Sequence, residues 1–201
     1  MRFNWLNKQS NNKVIVFFNG WGMDDSVVRH LDAGEYDILT VCDYNELVPL
    51  PNLDLYKEKF VVAWSMGVMV ATNYNINAIS VTAVNGTPFS IHPDFGINPK
   101  VYKLMELGFN DQSRNKFIAK MFDTMPENFE IDSRTTEDQK AELTALKKYE
   151  ASPNYKFNRA IVSKNDNIIP TKSQLNYWEN PELVDGGHCI FFNYKSWEEL
   201  L

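Results

Sequence analysis

The stretch that decides the fold is residues 61–67, which read Val-Val-Ala-Trp-Ser-Met-Gly. An apolar run typical of a strand buried on both faces leads into Ser65, and a glycine follows two positions later. Residues 68–75 can continue as a buried helix. This pattern matches the nucleophile elbow G-x-S-x-G, with Ala63 in place of the first glycine. An isolated S-x-G also fits a plain turn, so the elbow depends on the strand before it and the helix after it.

The sequence around the elbow predicts alternating strands and helices. Strands are predicted at 13–20, 36–42, 59–64, 78–85, 158–163 and 182–185, and residues 1–7 are interpreted as an additional edge strand. A helix is predicted to begin at residues 24–26, where two aspartates and a serine suit an N-cap and Val27, Val28 and Leu31 follow at helical spacing. Alternation of this kind favours an α/β fold with a mostly parallel sheet flanked by helices.

One segment interrupts the alternation. Residues 89–155 contain no convincing strand, and helical spacing occurs at 99–108, 111–123 and 136–150. We interpret this block as a small helical lid insertion in a single domain covering residues 1–201.

Composition limits the classes of function. The chain has 201 residues, is 44% hydrophobic, and carries a net charge of −6. Without a basic block or a recognition motif, nucleic-acid binding is disfavoured. Apolar runs are too short for a membrane span, the first residues do not resemble a signal peptide, and two isolated cysteines suggest neither a disulfide framework nor a metal site. We therefore expect a cytoplasmic protein without metal or cofactor.

A nucleophilic serine needs a histidine base and an acid that orients it. In folds with a nucleophile elbow, these residues occur along the chain in the order Ser, acid, His. His188 comes after the last short strand, in a loop with two glycines, and is preferred over His30 and His92. Asp166 follows the preceding strand and is the candidate acid, with Asp185 as its rival.

Two backbone N–H groups are expected to stabilise the oxyanion. One belongs to Met66, the residue after the nucleophile. The other is expected from the loop Asn-Gly-Trp-Gly at 19–22, where the glycines on either side of Trp21 permit an inward-facing N–H; the same glycines also fit a plain turn.

The segments FFNGWGMD, VVAWSMGVMVA, VNGTP and DGGHCIFF resemble the α/β-hydrolase superfamily and, more narrowly, BioG-type pimeloyl-[acyl-carrier protein] methyl ester esterases of biotin synthesis. The likeness extends over essentially the whole chain. It implies a Ser65–Asp166–His188 triad with oxyanion positions at Trp21 and Met66. The chain departs from the wider superfamily at Ala63 and at Asn19, where HGWG enzymes carry histidine.

The resemblance implies a serine carboxylesterase that removes the methyl ester from a pimeloyl chain on acyl carrier protein. Two other functions remain open from the residues: a broad-specificity carboxylesterase or thioesterase, and a non-catalytic binding module with the same fold.

An acidic carrier would need a basic surface on this acidic chain. Residues 89–159 contain eleven basic and eleven acidic side chains, so the net negative charge lies elsewhere. We expect docking at Arg114, Lys116 and Lys120, with Lys147 and Lys148 as a second cluster. The candidates for lining an acyl pocket, or for forming lid core instead, are Phe109, Phe117, Met121, Phe122 and Met125.

Overall fold

A seven-stranded sheet forms the centre of the protein. The computed structural model describes residues 1–127, 129–152 and 154–201. The strands are β1 (Arg2–Asn7), β2 (Lys13–Phe18), β3 (Tyr36–Cys42), β4 (Glu58–Trp64), β5 (Ser80–Val84), β6 (Arg159–Ser163) and β7 (Glu182–Val184). Their order across the sheet is β1-β3-β2-β4-β5-β6-β7. All neighbours pair in parallel except β1, which runs antiparallel to β3 at one edge.

The predicted strands and the edge strand at 1–7 are therefore confirmed, as is the α/β-hydrolase class of fold. The central strands are almost uniformly apolar because both faces of the sheet are covered, and separate hydrophobic clusters lie on each side of it. The alternation of residues along β2 illustrates this: Val14 and Val16 belong to one cluster, Ile15 and Phe17 to the other.

In the described part of the chain, five α-helices accompany the sheet. They are α1 (Met66–Ala71), α2 (Pro99–Gly108), α3 (Asp111–Lys120), α4 (Thr136–Leu146) and α5 (Thr171–Tyr177). Helices α2, α3 and α4 lie between β5 and β6 in the chain, within the segment interpreted as an insertion. Of the helices in the described ranges, none combines the length and apolarity needed to cross a bilayer.

The helix predicted after the first core strand is wrong. Only a short 3-10 turn, Asp25–Val27, forms there, capped by the Asp24 carboxylate, which accepts the Ser26 N–H. The chain cannot continue as a helix because Asp32 pairs with the C-terminal segment, donating its N–H to the Lys195 carbonyl at 2.9 Å. The valines at 27 and 28 are buried as the pattern suggested, but in turns rather than on a helix face.

Candidate active site

Ser65 lies in the sharp turn between β4 and α1. Its φ of 57° and ψ of −126° are strained for a residue with a side chain, at a typical cost of about 1–3 kcal/mol. The Ser65 N–H donates to the Val84 carbonyl at 3.0 Å, which ties the turn to the end of β5. The hydroxyl is thereby held at the carboxyl edge of the sheet, where open α/β sheets place their ligands.

Two glycines make this turn sterically possible. A Cβ atom at Gly67 would lie 2.4 Å from the carbonyl oxygens of Phe18 and Asn19, so α1 could not pack against the end of β2. A Cβ atom at Gly86 would lie 2.3 Å from the Ser65 carbonyl oxygen. Sequence reasoning found Gly67 in the elbow pattern but assigned no role to Gly86, whose close approach to the turn is evident only in three dimensions.

Ser65, His188 and Asp166 form a continuous hydrogen-bonded chain. The Nε2 atom of His188 lies 2.8 Å from Ser65 Oγ, and its Nδ1 atom lies 2.8 Å from Asp166 Oδ2. All three residues are buried. The arrangement can transfer the serine proton to the imidazole while the carboxylate holds one tautomer and stabilises the imidazolium.

The Asp166 carboxylate is held by neutral donors. Oδ1 accepts the backbone N–H groups of Ile168 and Ile169 at 2.8 and 3.1 Å. Oδ2 also accepts a hydrogen bond from the side-chain amide of the buried Gln174, at 2.8 Å. The rival acid Asp185 lies outside this network, with its side chain 89% exposed and paired with Lys164. The contribution of Gln174 was not foreseen from the sequence.

The loop that carries His188 is attached to the sheet by two side chains. Trp64 donates its indole N–H to the His188 carbonyl at 3.0 Å, and Asn85 donates its amide to the same oxygen at 2.8 Å. Asn85 also bonds Ser163 through both ends of its amide, so it joins β5, β6 and the histidine loop. These bonds fix the backbone that carries the imidazole.

The remaining histidines lie apart from this chain of residues. His30 stacks on Phe192 with ring centroids 4.5 Å apart, and its Nε2 atom lies 3.1 Å from the Phe191 carbonyl. His92 accepts the Asp94 N–H through Nδ1 and stacks on Phe95. Neither hydrogen-bonds Ser65 in the described structure, whereas His188 does.

Cys189, next to His188, is poorly suited to serve as a nucleophile. The residue is buried, and burial raises the pKa of its thiol well above the ordinary value. Burial likewise raises the pKa of Cys42 to about 12. Since the thiolate is the reactive form, both side chains behave as small apolar groups.

The loop at 19–22 faces Ser65 from the end of β2. Trp21 and Met66 both line the small cavity at the serine. Met66 is the first residue of α1, so its N–H has no partner within the helix. Asn19 braces the loop, since its Oδ1 accepts the Gly20 N–H at 2.9 Å and its amide donates to the Asp24 carbonyl.

The cavity at Ser65 is nearly closed. Its volume is about 10 Å³, roughly the space of one water molecule. Met105, Phe117 and Met121 from the helical segment lie in its wall. A larger groove of about 430 Å³, called the outer groove, adjoins this cavity. The cavity and the outer groove share four lining side chains: Ile97, Met105, Phe117 and Ile168.

Of the five residues considered for an acyl pocket, Phe117 and Met121 line the cavity. Phe109 packs edge-on against Trp21, and Phe122 packs against Phe129 and Phe192. Met125 is exposed. Phe109 and Phe122 thus pack against other aromatic side chains. Among the described residues, no group of three or more His, Cys, Asp or Glu side chains is arranged to hold a metal ion.

Solved structures match the fold of this chain over nearly its whole length. The crystal structure of BioG from Haemophilus influenzae matches with a TM-score of 0.92 and 28% identity, covering 100% of this chain and 99% of that one. A thermophilic esterase from Thermogutta terrifontis matches with a TM-score of 0.62 at 14% identity, covering 94% of this chain and 86% of that one, and shows the shared fold alone.

Sequence relatives include proteins of two bacteria. A Bacteroides fragilis protein named malonyl-[acyl-carrier protein] O-methyltransferase is 31% identical over 192 residues, which are 88% of this chain. The chain spans 39% of the length of that relative. An uncharacterized protein of Haemophilus influenzae is 30% identical over 200 residues, with 93% of each chain covered.

A family model described as pimeloyl-ACP methyl esterase BioG matches residues 1–200. This match extends over every strand of the sheet and includes the turn at Ser65, and the BioG crystal structure agrees over the same length. The chain therefore belongs to the BioG family of pimeloyl-ACP methyl esterases, hydrolases of the α/β-hydrolase fold.

Proposed function

We propose that this chain hydrolyses the methyl ester of a pimeloyl group carried on acyl carrier protein, using Ser65 as nucleophile, His188 as general base and acid, and Asp166 as the orienting carboxylate. The observation that carries the proposal is the unbroken hydrogen-bonded chain from Ser65 Oγ through His188 to Asp166. It occurs in a chain whose family is described by that activity.

The reaction proceeds in two acyl transfers. Ser65 Oγ attacks the ester carbonyl as His188 Nε2 takes its proton, and the tetrahedral oxyanion accepts the N–H groups of Trp21 and Met66. Each such donor typically contributes about 3–4 kcal/mol to transition-state stabilisation. His188 then protonates the methoxide oxygen, which leaves as methanol. In the second transfer His188 removes a proton from water as the water attacks the acyl-serine carbonyl, and it returns that proton to Ser65 Oγ as the bond between Oγ and the acyl carbon breaks, which releases the carboxylic acid.

The Bacteroides fragilis relative supports a methyl ester on a carrier-linked acyl group. Its name describes O-methyl transfer to malonyl-[acyl-carrier protein], a reaction that produces a carboxylate methyl ester. Removing such a methyl group is the complementary reaction. A broad-specificity carboxylesterase or a thioesterase would use the same three side chains, but this relationship favours the carrier-linked methyl ester.

The test is direct incubation of the purified protein with the methyl ester of pimeloyl-acyl carrier protein. We expect methanol release and a carrier-linked product lighter by one methylene group in intact-protein mass spectrometry, with the carrier thioester retained. Release of the free carrier thiol would instead identify a thioesterase. No turnover of any ester, with no labelling by a fluorophosphonate, would favour a non-catalytic module.

We also propose that α2, α3 and α4 form the lid over this site. An acyl chain cannot fit a space of about 10 Å³, so the substrate must displace part of the wall. Phe117 and Met105 separate the cavity from the outer groove, and both lie on the helical segment. Movement of these side chains would join the two spaces and admit an extended apolar chain.

The structure revises the expected docking residues. Arg114 is half-buried and donates a guanidinium N–H to the Asp132 carbonyl, so its charge is not free for a partner. Lys147 is paired with Glu106 at 2.7 Å. Lys116 and Lys120 are exposed and line the outer groove, which places positive charge beside the proposed acyl entrance. They are therefore the better candidates for contacting an acidic carrier.

We expect the double substitution Lys116→Glu and Lys120→Glu to lower kcat/KM for the carrier-linked ester by roughly tenfold or more at low salt, because complementary charges speed encounter. Hydrolysis of a small free methyl ester should change little. The measurement is a comparison of both substrates across a salt series. The matched control is the double substitution Lys8→Glu and Lys57→Glu, which makes the same change of charge. Both lysines lie near the amino ends of the parallel strands, opposite the carboxyl ends where Ser65 is found. Equal losses with both substrates, or none, would rule out this docking surface.

A further inference from the structure

Gln139 on α4 contacts the loop that carries Trp21. Its side-chain Nε2 donates to the Gly22 carbonyl at 3.0 Å, and its own backbone carbonyl accepts the Trp21 indole N–H at 2.8 Å. Gln139 is only 1% exposed, so both bonds are shielded from water. One residue of the helical segment therefore holds two consecutive residues of the loop facing Ser65.

The loop needs such external support. Both neighbours of Trp21 are glycines, the residue type with the greatest backbone freedom, and Gly22 has a φ of 70°. Within the loop, Asn19 accepts the Gly20 N–H. The Gly20 carbonyl, which belongs to the same peptide as the Trp21 N–H, accepts the Met23 N–H at 3.3 Å. Gln139 holds the Gly22 carbonyl, which belongs to the same peptide as that Met23 N–H. The bond from Gln139 therefore restrains the Trp21 peptide through the Gly22–Met23 peptide.

Helix α4 is itself firmly attached to the sheet, so it can act as a reference point. Glu142, one turn after Gln139, accepts the Tyr44 N–H at 2.9 Å and forms an ion pair with Arg134. Burial raises the pKa of the Glu142 carboxyl, and the Arg134 guanidinium opposes that shift. Tyr44 in turn donates its hydroxyl to the Asn19 carbonyl at 2.8 Å. The helix, the end of β3 and the start of the loop are joined in one buried network.

We propose that Gln139 is a positioning residue for ester hydrolysis: its amide sets the Gly22–Met23 peptide and, through the Met23 N–H bond to the Gly20 carbonyl, the direction in which the Trp21 N–H points toward the oxyanion. This inference rests on the proposed function, since the N–H has a catalytic task only if Ser65 attacks an acyl carbon. A misplaced donor stabilises the transition state less while leaving ground-state binding nearly intact.

The test is Gln139→Met, which keeps the length of the side chain and removes the amide donor. We expect kcat per active site, with sites counted by end-point titration with a fluorophosphonate, to fall roughly 10- to 100-fold while KM for a small ester changes little. The inhibition constant of a trifluoromethyl ketone, whose adduct with Ser65 carries an oxyanion, should rise in parallel. Counting sites separates this effect from a mere loss of folded protein.

The matched control is Thr144→Ala on the exposed side of the same helix, which removes a hydrogen bond to Glu106 and should leave kcat per site unchanged. Gln139→Leu, which removes the donor with a different apolar side chain, should reproduce the loss and serves if the methionine variant does not fold. Wild-type kcat per site in either folded variant would overturn the inference while leaving the proposed function standing. Ester hydrolysis that persists in Ser65→Ala would instead overturn the proposed function.

Discussion

Replacing Ser65 with alanine is expected to lower kcat for ester hydrolysis by roughly 10⁶-fold, the scale seen when the nucleophile of a serine triad is removed. In the proposed mechanism the Ser65 hydroxyl forms the acyl intermediate, so its loss removes the nucleophile. Because the substitution keeps Cβ and only deletes Oγ, the strained turn and its packing against Gly86 are retained. The measurement is steady-state hydrolysis of a methyl ester together with labelling by a fluorophosphonate.

The control for Ser65→Ala is Ser133→Ala, at an exposed serine distant in sequence from the elbow. Both variants should unfold at nearly the wild-type temperature, and only Ser65→Ala should lose labelling. Substantial turnover by folded Ser65→Ala would show that another group performs the attack.

Asp166→Asn is expected to reduce kcat by roughly 10⁴-fold, as loss of the correct imidazole tautomer does in other triads. The Asp166 Oδ1 atom already accepts two backbone N–H groups, so the substituted amide has its oxygen drawn to that side. The amide nitrogen then faces His188 Nδ1 and favours the tautomer whose Nε2 is protonated. Once protonated, His188 Nε2 can no longer take the proton of Ser65. The measurement is kcat for ester hydrolysis at saturating substrate.

Asp185→Asn is the matched comparison for Asp166→Asn. Its carboxylate is exposed and pairs with Lys164, an arrangement that contributes at most about 1 kcal/mol to stability. Activity close to wild type is therefore expected. A larger loss in Asp185→Asn than in Asp166→Asn would show that the acid had been assigned to the wrong loop.

The patterns that depend on neighbouring residues were readable before the fold was known. The apolar run of β4, the serine and Gly67 are all within a few positions, so the elbow and the strand order along the chain follow from local periodicity. The bounds of α2 match the predicted helix at 99–108, because Pro99 and Asn98 mark its start. The prediction of a helix after residue 24 is wrong because Asp32 pairs with the C-terminal segment instead. That segment is distant in sequence, so local spacing does not reveal the pairing.

The contacts that hold the candidate site together lie beyond such patterns. Gln139 is 117 residues from Gly22, and Asn85 is 103 residues from His188. The sequence predicts Arg114 to be an exposed cation on a helix, but in the structure its guanidinium donates to the Asp132 carbonyl within the helical segment. The sequence by itself determined the class of fold and the serine turn after β4, and it identified the three residues that the structure joins by hydrogen bonds, because spacing and residue type are local properties. Only the tertiary structure decided which side chains support them, because buried polar atoms take their partners from whichever segments the packing brings within hydrogen-bond distance.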